Sequence, residues 1–151
     1  MAHDPRELEA RIRARFPATD AAPSISLRAG NALDEYREPP PFDLALDRCD
    51  AAYIERFHWG IHFLDPDSWL HYLPELLLHA LREMSAGESS ALDTFLFSLR
   101  PPDRDPPRFT RLSAEQHAVV VDVLEAIGFS PDSRYQEEAL EALQEYWLDA
   151  R

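Results

Sequence analysis

Four histidines, His58, His62, His71 and His79, fall within one stretch of the chain, with Glu75 between the last two. His58 and His62, His71 and Glu75, and Glu75 and His79 are each four residues apart. On an α-helix that spacing puts both side chains on one face, where two of them can share a metal ion. His71 and His79 lie about 12 Å apart along a helix axis, so they cannot both hold one ion. A complete site drawn from His58, His62, His71 and Glu75 would need groups converging from separate elements, with Asp65 and Asp67 close by in sequence. The pattern lacks the specificity of H-E-x-x-H. Exposed or hydrogen-bonded histidine is the plainer outcome, so a metal-binding protein or metal-dependent enzyme is the alternative reading.

Cys49 and His58 would serve as nucleophile and base if packed together. No neighbour in the sequence lowers the thiol pKa, and an acidic setting raises it. Cys49 falls on an apolar stripe, where a small buried hydrophobe is the simpler role.

The second constellation is acidic. Glu137, Glu141, Glu145 and Asp149 follow one another at four-residue steps, with Glu138 beside them. Like charges at that spacing cost a helix a few tenths of a kcal/mol each, so the row does not serve helix stability. It suits docking of a basic protein, or imitation of a row of phosphates. A solvated face of a very acidic chain accounts for it equally simply.

The 151 residues carry 28 acids against 15 bases, a net charge of −13, and every base is arginine. Such acidity opposes nucleic-acid and anionic-lipid binding and favours capture of a basic partner. The four glycines, Gly30, Gly60, Gly87 and Gly128, are too dispersed for a phosphate-cradling loop. G-x-S-x-G and C-x-x-C are missing as well. A single cysteine forms no internal disulfide, which fits a reducing, cytoplasmic setting, and no apolar run reaches the length of a signal peptide or membrane span. No cofactor motif is present, and oligomeric state is not legible.

The elements that must position these groups are helical. Asp4 caps a helix with Pro5 at its first position, ending before Pro17. Residues 17–41 are weakly periodic, with a short helix near Asn31–Tyr36 and room for a short strand within 17–45. Leu46, Cys49, Ala52, Tyr53 and Phe57 give a helical stripe across 42–57. Asp65 and Pro66 open a long helix to about Glu83, bearing Leu73, Leu76, Leu77, Ala80, Leu81 and Met84 on one face, with His71, Glu75 and His79 on its polar side. Pro74 removes a hydrogen bond from its interior and should bend it. Gly87 ends that run, and a short helix follows from about Ser90 to Leu99.

Residues 100–111 form a stiff Pro/Arg-rich loop whose arginines pair most simply with the protein's own acids, such as the C-terminal row. Ser113 and Gln116 form a capping box before Val120, Val123, Leu124 and Ile127. Gly128 fits a left-handed helix terminus with Phe129 packing on Leu124. Ser130-Pro131 then restarts a helix carrying Leu140, Leu143 and Trp147 inward.

Phe63-Leu64-Asp65-Pro66-Asp67-Ser68-Trp69, followed by Tyr72-Leu73-Pro74, resembles a family of small uncharacterised bacterial proteins, a domain of unknown function, whose core reads F-L-T-P-E-A-F-x-Y-Y-L-P. Leu112-Ser113-Ala114-Glu115-Gln116 is similar to that family's L-T-x-E-Q helix start. The likeness covers about residues 50–128. It departs at Asp65, Trp69 and His71. It implies a bacterial origin and a shared fold, and it carries no activity.

These readings predict one all-α domain, a bundle of about six helices able to bury roughly 70% of its unfolded surface. The leading function is a non-catalytic acidic module that captures or neutralises a basic protein. A bacterial toxin-immunity protein is its sharpest form, with Glu137, Glu138, Glu141, Glu145 and Asp149 as the contact residues. A DNA mimic is a further alternative.

Overall fold

Asp4, Ser26, Asp50, Asp65, Ser89 and Ser113 each start a helix by the same device. Their backbones are extended, and a side-chain oxygen accepts the N–H of Arg6, Ala29, Tyr53, Ser68, Leu92 and Gln116 respectively. Each bond satisfies a donor that the first helical turn leaves free, worth about 1 kcal/mol. The computed structural model describes residues 3–101 and 106–149. Its elements are α1 (Pro5–Arg15), α2 (Leu27–Asp34), α3 (Ala51–Phe57), a 3₁₀ helix (His58–Phe63), α4 (Pro66–Glu83), α5 (Ser90–Ser98), α6 (Pro107–Thr110), α7 (Ala114–Phe129), α8 (Gln136–Ala142) and a π turn (Leu143–Trp147). There is no strand among the described residues, so the room left for one in 17–45 is filled by α2 and irregular chain.

Helix α4 is the axis of the bundle and packs against α1, α5, α6 and α7. Every residue from Leu76 to Leu81 is buried, as are Trp69, Tyr72 and Leu73. Over residues 76–81 burial extends all round the helix, which makes this stretch a central one, while Leu70, His71, Pro74 and Glu75 stay half-buried. Full burial of each large apolar side chain is worth roughly 1.5–3 kcal/mol against leaving it exposed. His79, expected on a polar side, is therefore buried too, and Pro74 lies inside the helix as expected.

Where α2 meets the 3₁₀ helix, backbone touches backbone. A methyl group built on Gly60 would stand 2.1 Å from the Leu27 carbonyl oxygen, and one on Gly30 would stand 2.5 Å from the Gly60 oxygen. Two segments 30 residues apart are brought together because neither has a side chain at the crossing.

Several expectations are corrected. The stripe across 42–57 is not one helix: Leu46 and Ala52 are exposed, and only Ala51–Phe57 is helical. The preceding chain winds around Asp47, whose carboxylate accepts from the Asp43 N–H, the Arg28 guanidinium and the Tyr53 hydroxyl. Gly128 is not a left-handed terminus. It lies within α7 with Leu140 against it, and Phe129 is exposed. The left-handed terminus is instead Tyr36, at φ 60° after α2, where the Arg37 N–H bonds the Ala32 carbonyl and the Tyr36 N–H bonds that of Leu33. Helix α8 begins at Gln136, because Ser130–Arg134 is spent in a turn held by the Ser130 hydroxyl and carbonyl. The Pro/Arg-rich loop contains a helical turn, α6. Its Pro102–Asp105 portion, with Arg104, lies outside the described residues.

Candidate functional site

The 3₁₀ geometry of His58–Phe63 decides what its side chains can do. At three residues per turn, positions four apart no longer share a face. His58 turns inward and is buried, while His62 is exposed. The His58 Nδ1 lies 2.7 Å from the Thr94 hydroxyl, which itself donates to the Ser90 carbonyl at 3.0 Å. A hydroxyl has one proton, so His58 Nδ1–H is the donor and the neutral tautomer keeps its lone pair on Nε2. Burial holds the His58 pKa below the usual histidine range despite the acids Glu55, Asp34 and Asp93 nearby.

On the outer side, the 3₁₀ helix, α5 and α8 enclose a cleft of about 400 Å³. Trp59 and Phe97 stand at its mouth, 52% and 60% exposed, although both are large aromatics. His62 lies between them, its ring centroid 6.4 Å from Trp59 and 6.2 Å edge-on from Phe97. Partial desolvation beside its aromatic neighbours, then the charge of Arg108, pushes the His62 pKa down. Asp93 and Glu138 border the same space, and neither has an ion-pair partner among the described residues.

Arg100 completes the rim and shows what the walls favour. Its guanidinium carbon stands 5.6 Å from the Phe97 ring centroid. Its nitrogens bind Glu145 through two bonds, at 2.8 and 2.7 Å, and Glu141 at 2.8 Å. That fork-to-carboxylate geometry, with the cation against a ring face, is a favourable seat for arginine. The Arg100 hydrogen bonds draw the Glu145 pKa down. Of the acidic row, Glu141 and Glu145 are thus engaged within the protein. Glu137 is exposed, Glu138 faces the cleft, and Asp149 is exposed beyond the π turn.

The other expected residues lie elsewhere. His71 and Glu75 border a broad groove with Cys49, Pro74 and Leu70, between α4 and the chain around 17–24 and 42–49. Burial pushes the His71 pKa down. Burial, with the charges of Glu75 and Asp50, pushes the Cys49 thiol up to about 12, which leaves it protonated and unreactive. His58 and Cys49 do not meet among the described residues: Cys49 lines the groove, whereas His58 is bonded to Thr94 and is not part of that lining. Nor do His58, His62, His71 and Glu75 converge: His62 lines the cleft and Glu75 the groove.

A family model matches residues 4–151. The chain belongs to the family of unknown function DUF6714. The match extends well beyond the 50–128 likeness read from the motifs. No curated protein matches this family member significantly, and no solved structure does.

In this DUF6714 chain, Glu55 is a structural centre that sequence reasoning missed. Its Oε2 lies 2.7 Å from His79 Nε2 and accepts the Ser89 hydroxyl at 2.5 Å, while Oε1 accepts the Ala91 N–H. Serine, histidine and acid are thus together in the wrong order for nucleophilic catalysis. The hydroxyl bonds to the carboxylate, not to the imidazole that would have to take its proton. The trio ties α3 to α4 and to the start of α5. Arg108 is likewise structural, donating to the carbonyls of Ile61, His62 and Leu64 at the end of the 3₁₀ helix. Arg111 pairs with Asp67. Neither Glu55 nor Arg108 has a local sequence signal, because their partners are 24–47 residues away.

Proposed function

We propose that this protein is a non-catalytic acidic module that captures a basic protein partner, with the Trp59–Phe97 cleft receiving an arginine or lysine side chain of that partner. The observation that carries this reading is the pairing of two exposed aromatic faces with the carboxylates of Asp93 and Glu138, neither of them ion-paired among the described residues, around one cavity. Large aromatics at such exposure favour a contact surface, and aromatic anchors with acidic rims suit cationic side chains. Glu137, Glu138 and Asp149, with the Arg100-bound Glu141 and Glu145, extend the negative field along α8 and the π turn. Toxin immunity in a bacterial cytoplasm is the sharpest form of this role, since a net charge of −13 speeds encounter with a basic toxin.

The test is affinity capture from a bacterial lysate at low and high salt, with wild-type protein, W59A/F97A and D93N/E138Q. The expected result is one stoichiometric basic protein, weakened by each double variant and by salt. Capture that is equal for all three proteins, or no stoichiometric partner at any salt, overturns the proposal.

A further inference from the structure

Away from the cleft, a group of donors comes together that shares no motif spacing. His3 lies in the extended chain just before the Asp4 cap, and it reaches across to α7. There Asp122 and Glu125, three residues apart, project from one helix face. His3 Nε2 is 3.3 Å from Glu125 Oε1 and 3.9 Å from Asp122 Oδ1, and the three ligand atoms all lie within 4.8 Å of one another. Among the described residues this is the one group of three such side chains so arranged. The side chains are 17%, 21% and 30% exposed, so they are partly sheltered yet open to solvent.

We propose that His3, Asp122 and Glu125 bind a divalent transition-metal ion of the zinc class. One imidazole and two carboxylates form a borderline donor set, suited to zinc or manganese rather than to a soft ion such as Cu(I). Tetrahedral zinc, with bonds of about 2.0–2.2 Å, separates its ligand atoms by roughly 3.3–3.6 Å. With every separation within 4.8 Å, the present spacing needs a contraction of no more than about 1.5 Å along any edge. That is within reach of the long Glu125 side chain.

The outer contact favours the same arrangement. Arg11 Nη1 donates to Asp122 Oδ2 at 2.6 Å, which fixes the carboxylate and presents Oδ1 toward His3. Ligating carboxylates are commonly held by such a hydrogen bond on their other oxygen. Three protein ligands leave a fourth position for water. The ion would join the chain ahead of α1 to the middle of α7, so binding should stabilise the fold as well as saturate.

The experiment titrates zinc chloride into the full chain, after chelator treatment and desalting, by calorimetry, with thermal unfolding measured alongside. Wild-type protein should bind one zinc ion per chain and melt at a higher temperature with zinc than without. H3A and E125Q should each weaken binding by about tenfold or more and lose the thermal shift. H71A, in the groove, should bind as wild type does, which separates this site from any other histidine. Absence of saturable binding overturns the proposal, as does zinc binding that survives both H3A and E125Q. Circular dichroism of the variants checks that the fold is kept, and the proposal is independent of partner capture.

Discussion

Replacing Gly60 with alanine adds a single methyl group, yet it should be among the most damaging small changes available to this chain. The methyl would stand 2.1 Å from the Leu27 carbonyl oxygen and 2.8 Å from the Asn31 nitrogen. Both are backbone atoms of α2, so no side chain can rotate away. The 3₁₀ helix or α2 must move by more than an ångström to restore ordinary contact. Overpacking a tight interior costs about 1–3 kcal/mol where side chains can adjust, and this site belongs at or above the upper end. At roughly 2–4 °C per kcal/mol for a chain of this size, a loss of about 3 kcal/mol lowers the melting temperature by roughly 6–12 °C.

The assay is thermal and urea unfolding of Gly60→Ala, followed by circular dichroism, with Gly87→Ala as the contrast. Gly87 has nothing within 4 Å of its added methyl but sits at φ +39°, so its cost is conformational, about 1 kcal/mol. Gly60 carries the reverse combination, with no positive φ and no space. The movement would also displace Trp59 and His62, which flank Gly60 on the same short helix, so the cleft should be altered in any Gly60→Ala molecules that fold. A Gly60→Ala protein within 1 kcal/mol of wild type would refute the backbone-contact argument.

Three further outcomes follow from other parts of the fold. Tyr36, 99% exposed at φ 60°, occupies a left-handed position that glycine adopts without strain, so Tyr36→Gly should stabilise by roughly 0.5–1 kcal/mol in urea unfolding; destabilisation would show that the ring makes a contact worth more than the strain. Asp47 is pushed up by burial, but the hydrogen bonds from Arg28, the Asp43 amide and Tyr53 outweigh this and hold its carboxyl below the usual range. A depressed folded value means its contribution is present above the unfolded pKa of about 4 and is lost as pH falls through the folded value. Asp47→Asn should therefore lose about 3 kcal/mol at pH 7, leaving Arg28 unpaired, and the deficit should shrink on acidification; a constant deficit would count against the ion pair. Cys49, with its thiol pushed up to about 12, should react with iodoacetamide at pH 8 far more slowly in the folded than in the unfolded protein, and equal rates would contradict its burial.

What the sequence revealed was local. Asp4-Pro5, Asp65-Pro66 and the Ser113–Gln116 box are complete within four residues, and each begins the helix expected of it. The central role of α4 was half legible, because its apolar stripe is plain but the burial of His79 depends on Glu55, 24 residues earlier. The His58–His62 pair misled because four-residue spacing carries meaning on an α-helix and loses it on a 3₁₀ helix. Gly128 looked like a terminus for want of knowing that Leu140 needed its space, while the actual left-handed terminus was hidden under a tyrosine. The cleft drew on Trp59, Asp93, Phe97 and Glu138, residues with no shared motif, so only the packing of α5 and α8 against the 3₁₀ helix assembles them.

The distribution of arginines sharpens what the acidity is for. Arg11, Arg28, Arg100 and Arg111 each hold at least one carboxylate of their own chain. The surplus of 13 negative charges is therefore spread around a surface already partly paired, and the cleft is where acids with no ion-pair partner among the described residues meet exposed aromatic faces. Two kinds of binding energy are then separable. The diffuse field accelerates encounter and is screened beyond about 8 Å at physiological salt, whereas contact with Trp59 and Phe97 excludes water and depends on salt much less. On the proposed reading, raising ionic strength should slow association while leaving dissociation governed by the aromatic walls. Asp93 and Glu138 variants should then chiefly affect both phases, and Glu137 or Asp149 variants only the first. A protein that merely imitated a row of phosphates would show the opposite division, with affinity residing in the α8 acids and the Trp59–Phe97 cleft dispensable.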